Sequence, residues 1–270
     1  MIQEIKHFQE YLLRERKDLK TIAAYCKDVE LFFTYIKKST NDIDEMDIEK
    51  YKEFLFGQAY KVPSINRKMA ALNVFMKFSG KSIKIRQEKV QLQNFLDNVI
   101  EREELSKIIK KAEEEKDYRA KALLSTIYYT GMRISECLQL TIHDIEKDII
   151  LIRGKGNKYR YVFIPNKLRT IWEQYMTVRI KKTEKLFTGE RGAITRSTSN
   201  KIFKKYAELV GVDKKKAHNH NLRHLYCRKM ITKVDLATLA DLAGHSDINI
   251  TRRYLVKSKK ELLDIVNTLD

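Results

Sequence analysis

Cysteine is scarce in this chain: 270 residues include three, Cys26, Cys137 and Cys227, an odd number without CxxC spacing. That pattern argues against a disulfide framework and a structural zinc site, so the thiols are expected to be reduced and buried. No apolar run approaches the roughly 18 residues of a membrane span. The N-terminus, Met1-Ile2-Gln3-Glu4-Ile5-Lys6, lacks the basic-then-apolar order of a signal peptide. A soluble, cytoplasmic protein is expected. Walker-type glycine loops, carboxylate metal clusters, internal repeats and low-complexity tracts are all missing.

Acidic residues are also in short supply. Lys and Arg number 54 against 36 Asp and Glu, a formal net charge of +18 at pH 7. A protein this basic gains affinity for DNA by releasing counterions condensed on the phosphates, although RNA or a membrane surface would attract it too. The excess is uneven. Residues 1–98 hold 18 basic against 14 acidic residues, and residues 99–270 hold 36 against 22. Apolar residues make up 43% of the chain, enough for packed cores, and its length favours two domains.

The first region has helical periodicity. Ile5, Phe8, Tyr11 and Leu12 recur at helical spacing, as do Ile22, Tyr25, Val29, Phe32 and Phe33, and Ser64 opens a segment with Ile65, Met69, Leu72, Phe75 and Met76 on one face. These predict a small helical bundle over 1–85, followed by a polar linker over 86–99. The remainder, 100–270, reads as mixed. One helical run extends from Glu101 through Ile127 to a break at Gly131. Asp148–Ile152 and Tyr159–Ile164 predict strands joined by a basic hairpin tip, Arg153-Gly154-Lys155-Gly156-Asn157-Lys158. Pro165 ends the hairpin. Helices are expected near 168–175, 200–209, 222–231, 236–243 and 250–269.

Several groups in this second region suit attack on a phosphodiester. Arg133 lies in Thr130-Gly131-Met132-Arg133-Ile134-Ser135-Glu136, Arg223 in His220-Asn221-Leu222-Arg223-His224, His245 in Ala243-Gly244-His245, and Tyr254 nine residues beyond His245. An arginine fork matches phosphate oxygens, imidazoles move protons, and a phenol can become a covalent nucleophile. Glu136, three residues after Arg133, is placed to orient it. The flanking glycines give Lys155 backbone freedom at the hairpin tip. Lys158 and Arg160 equally suit a phosphate contact, as does Arg153. His218 and His224 lie close enough to His220 to blur its assignment, and a structural role fits His218 and is open to His224.

The order and spacing of these motifs resemble the tyrosine recombinase (phage-integrase) family, of a Xer-like or transposon-resolvase type. Leu19–Tyr25 and Ser64–Phe75, including Arg67 and Lys68 as DNA contacts, more weakly resemble the family's helical, SAM-like core-binding domain. The resemblance implies a mainly α fold with a small β-sheet. It further implies a mixed α/β catalytic domain ending in an oligomerisation tail, the two domains closing on DNA as a C-shaped clamp.

By resemblance Arg133 and Arg223 hold the scissile phosphate, and Lys155 is the general acid. His220 and His245 serve the phosphate or the nucleophile's proton, and Tyr254 forms a 3′-phosphotyrosine. Energy stays in the covalent link, so no cofactor, nucleotide or metal is expected. The implied partners are double-stranded DNA with paired inverted half-sites and a homotetramer, alone or with a related recombinase. No separate arm-binding domain is expected before residue 1, which favours a simple recombinase. The rivals are a type IB topoisomerase-like enzyme and a catalytically silent DNA-binding regulator. Ala243 and Met132, each where leucine is common in the family, and the Lys214–Lys216 run depart from the pattern without removing a reactive group.

Overall fold

The computed structural model describes residues 2–89, 98–154, 159–244, 247–252, 254, 256 and 259–268. The chain divides into two compact units, Met1–Leu92 and Gln93–Asp270.

The first unit is a four-helix bundle: α1 (Ile2–Arg14), α2 (Leu19–Ile36), α3 (Glu45–Gly57) and α4 (Val62–Phe78). Helix starts follow capping chemistry. Asp18 accepts from the Thr21 amide at 3.0 Å to open α2, and a capping box between Asp44 and Asp47 opens α3. The apolar faces meet in a core where Phe8, Val29, Phe32, Tyr51, Leu55, Met69 and Phe75 have no exposed surface. Burying such side chains contributes about 1.5–3 kcal/mol each. Residues 86–89, expected in the linker, stay attached to this bundle: the Asn66 side chain donates to Glu88 O and accepts from Glu88 N, both at 2.8 Å.

The second unit surrounds one central helix. It comprises α5 (Arg102–Glu114), α6 (Tyr118–Thr130), the single turn α7 (Ile134–Cys137), strands β1 (Ile149–Arg153) and β2 (Tyr159–Phe163), and α8 (Asn166–Met176). A two-residue ladder, β3 (Thr188–Gly189) with β4 (Gly192–Ala193), follows. The chain then forms α9 (Arg196–Leu209), α10 (Asn219–Met230), α11 (Leu236–Ala243), α12 (Ile248–Arg252) and α13 (Lys259–Val266). Helix α6 packs on α5, α8, α9 and α10, and the buried Trp172 indole donates to Thr126 Oγ1 at 2.7 Å.

Two sequence expectations need correction. The run from Glu101 to Ile127 is two helices, because Asp117 accepts from the Ala120 amide at 2.9 Å and opens a new one. The helix expected over 250–269 is two as well, α12 and α13, with Tyr254 in neither. β1 and β2 pair antiparallel with Leu151 opposite Tyr161. Their pleat turns Ile150, Ile152, Val162 and Arg160 inward and leaves Ile149, Leu151, Tyr159, Tyr161 and Phe163 exposed. Among the described residues no helix is long and apolar enough to cross a membrane.

Candidate active site

The site is assembled at helix ends. Helix α6 stops at Gly131, whose φ of +62° is a left-handed cap that glycine adopts without strain. A side chain there would also collide with Tyr226, since a Cβ would lie 2.3 Å from its Cδ1. Two residues later Arg133 takes the N-cap position of α7 in extended conformation.

Glu136, only 2% exposed, is the pivot. Its Oε1 accepts from Arg133 Nη1 at 2.8 Å, and its Oε2 accepts from the Arg133 amide at 2.8 Å and from Arg160 Nη2 at 2.9 Å. Burial alone would raise this carboxyl. The Arg160 charge, followed by the bonds and charge of Arg133, holds it below its ordinary value instead. Glu136 is therefore ionised at neutral pH.

Arg223, on α10, is 2% exposed. Its Nη1 donates to Gly131 O at 2.7 Å and its Nη2 to Ala243 O at 2.5 Å. The end of α11 takes the other two guanidiniums as well: Arg160 Nη1 donates to Leu242 O at 2.5 Å, and Arg133 Nη2 to Gly244 O at 3.1 Å. Three successive carbonyls, which a helix C-terminus leaves without intrahelical donors, thus bind three different arginines. Three cations converge on these carbonyls, and two of them share one carboxylate. That imbalance suits an anionic phosphodiester and the charge it gains during attack.

Tyr254 reaches this cluster from beyond α12. It is 4% exposed and packs with Cys227, Leu239 and Ala243 in a small core of its own. The Arg223 guanidinium and the Cys227 thiol both act on its phenol. The His224 ring meets the Tyr254 ring edge to face at 4.4 Å, and His220 meets His224 likewise at 5.4 Å. Burial, reinforced by the Cys227 sulfur, raises the Tyr254 phenol above its usual value, while the Arg223 charge and hydrogen bond pull it down. Attack therefore requires a proton acceptor, and two imbalanced effects set how readily the phenolate forms.

The described structure brings together Arg133, Glu136, His220, Arg223 and Tyr254. Lys155, Lys158 and His245 lie outside the described residues. Arg153 ends β1 on the exposed face, opposite Tyr159. His218 precedes α10, where burial and then Lys204 lower its basicity.

Two of the residues expected to contact DNA are buried and already paired. Lys68 is 5% exposed, with its ammonium 2.9 Å from the buried Asp28. Arg67 also reaches Asp28, although nearly half of its side chain stays in solvent. Arg160 has a side chain 9% exposed and is committed to Glu136 and Leu242. The signal for Arg160 was present in the sequence: it shares strand parity with Val162 and so belongs to the inner face. Cys227 and His224 are further site residues that sequence reasoning did not assign. Cys227 stands one turn after Arg223 on the same helix face, a spacing that gives direction but no partner.

Comparison with known families matches residues 98–261 to the "Phage integrase family" and residues 5–81 to the "Phage integrase, N-terminal SAM-like domain". A tyrosine recombinase of Thermosipho africanus (strain TCF52B) is 30% identical, with 98% of this chain and 99% of the relative covered. Tyrosine recombinase XerC of Pediococcus pentosaceus is 29% identical, with 96% and 94% covered. Among solved structures, XerH site-specific recombinase bound to palindromic difH substrate, in a post-cleavage complex, shares the fold. It has a TM-score of 0.73 at 22% identity, with 92% of this chain and 79% of that one covered.

Proposed function

This chain belongs to the phage integrase family of tyrosine recombinases, and from that premise we propose that Tyr254 is the nucleophile that cuts and rejoins DNA at a specific site. The observation that carries the assignment is its place: the buried Tyr254 packs with Cys227, one turn beyond Arg223 on α10, and against the His224 ring at 4.4 Å, beside the guanidinium joined to Arg133 through consecutive carbonyls. Tyr254 Oη attacks the scissile phosphorus, the P–O5′ bond breaks, and a 3′-phosphotyrosine and a free 5′-hydroxyl result. Arg133 and Arg223 neutralise charge on the non-bridging oxygens. His220 or His224 takes the phenolic proton. Lys155 protonates the leaving 5′-oxygen. His245 serves the phosphate beside the arginines. Attack by a 5′-hydroxyl of the partner duplex reverses the step and completes strand exchange.

The protein acts in the cytoplasm as a Xer-like recombinase, assembled as a homotetramer on two DNA sites with paired inverted half-sites. Arg153 and Lys158 on the hairpin and Arg67 on the helical unit contact the DNA backbone. Neither rival has an observation in its favour: a silent regulator has no need of a tyrosine inside the arginine cluster.

The test is covalent capture. Random-sequence duplexes are selected for covalent attachment to the wild-type protein, and the recovered site is rebuilt as a nicked suicide substrate. Tyr254→Phe loses covalent product while its affinity stays within a few-fold of wild type. Continued covalent attachment by the phenylalanine variant would move the nucleophile elsewhere, with Tyr226 next in line.

A further inference from the structure

Arg160 is the cation of this site with no part in the mechanism above. It lies on β2, which begins at Tyr159, and Lys155 is five residues earlier in the chain. One fork spans two elements: Nη2 binds Glu136 on α7 and Nη1 binds Leu242 O at the end of α11. The passage is shaped for it. Gly244 ends α11 with φ +65°, and a Cβ on that residue would stand 2.4 Å from Arg160 Cδ and 2.7 Å from Nε. The same glycine therefore stops the helix and clears the arginine's path. From Gly244 the chain runs directly into His245.

We infer that Arg160 is a positioning residue that pins strand β2 to both Glu136 and the Leu242–Gly244 turn, setting the aim of Arg133 without touching DNA. The inference rests on the active-site reading above. Its chemistry follows from donor placement. Glu136 Oε2 is shared by the Arg133 amide and Arg160, so without Arg160 one oxygen of the carboxylate that orients Arg133 loses its cross-element anchor. Leu242 O loses its donor in the same event. A planar fork serves both acceptors at once, and a single ammonium cannot. Hairpin seat and phosphate clamp are thereby set by one side chain.

The test uses the full-length protein and the nicked duplex recovered by covalent capture. Arg160→Gln is expected to lower the single-turnover cleavage rate constant at saturating DNA about 10²-fold, the cost of misplacing a reacting group by about 1 Å. The slope of log affinity against log salt should stay at the wild-type value, whereas a lost phosphate contact would reduce it by about 0.9. Damage to folding alone lowers the reactive fraction and leaves the rate constant unchanged. Arg160→Lys keeps the charge without the fork, so it should fold, keep the salt slope and still cleave at least ~10-fold more slowly. If the glutamine variant fails to fold, the lysine variant decides alone. A wild-type rate constant in the folded variants, or a slope reduced by about 0.9, overturns the inference. A wild-type protein that forms no covalent product overturns the active-site reading, and this inference with it.

Discussion

Replacing Glu136 by glutamine tests the pivot of the site directly. The substitution preserves shape and removes one charge from a carboxylate that is 2% exposed and accepts three hydrogen bonds, two from guanidiniums. Breaking a buried ion pair on one side leaves uncompensated charge and costs about 3–5 kcal/mol. Charge-assisted hydrogen bonds at roughly 1.5–3 kcal/mol each lead to the same range. With a urea slope of about 2–3 kcal/mol/M, the unfolding midpoint should fall by roughly 1–2 M.

The assay is already built in. Trp172, the one tryptophan of the chain, is fully buried in the catalytic core, so its fluorescence reports that unit. The pH dependence has a definite sign. Because the folded-state carboxyl lies below its ordinary value, its stabilisation is present above the unfolded-state value and is lost as pH falls through the depressed folded-state value. The gap between wild type and Glu136→Gln should be widest near neutrality and close on acidification. A loss under about 1 kcal/mol at neutral pH, or a gap that widens in acid, would refute the ion-pair account.

Lys155→Ala should slow cleavage by about 10²–10⁴ with little loss of affinity, and a 5′-bridging phosphorothiolate, whose leaving group needs no proton, should restore it. Failure of that rescue, or rescue of Lys158→Ala alone, transfers the acid role. Gly131→Ala should destabilise the catalytic unit by roughly 2–5 kcal/mol, from left-handed strain of about 1–2 and overpacking of about 1–3 against Tyr226. An unchanged thermal midpoint would contradict it. Deleting residues 258–270 removes the exposed Leu263, Ile265 and Val266 of α13. Half-site binding should survive, while gel-shift analysis should show loss of cooperative assembly on full sites and of recombination. Normal synapsis by the truncated protein would mean that the tail packs only on its own subunit.

Local signals were readable where one residue decided the outcome. Helix α11 spans Leu236–Ala243 as the apolar spacing predicts, because Asp235 opens it and Gly244 closes it. Helix α3 was missed although Asp44 caps it and Ile48, Tyr51 and Leu55 form its buried stripe. Its many charges, some of them buried, diluted the pattern. In the site, Arg133 with Glu136 was legible because both lie on one turn. The fate of Lys68 was not, since its partner Asp28 is 40 residues away and the pairing exists only after the helices pack. Strand parity gives the inward direction of Arg160 but not its two partners, which sit 24 and 82 residues distant. The Tyr254, His224 and Cys227 contacts likewise depend on where the chain returns after α12.

The three carbonyls at the end of α11 also bear on which substitutions this site can absorb. A carbonyl oxygen is supplied by every amino acid, so the hydrogen bonds to Leu242 and Ala243 place no demand on the side chains there. Ala243, where the family commonly has leucine, therefore leaves the arginine scaffold undisturbed. Gly244 has no such latitude, because any Cβ would stand in the path of Arg160. Drift in this short stretch is thus limited at Ala243 only by its packing beside Tyr254, and is blocked at Gly244 by the left-handed backbone and the arginine that passes it.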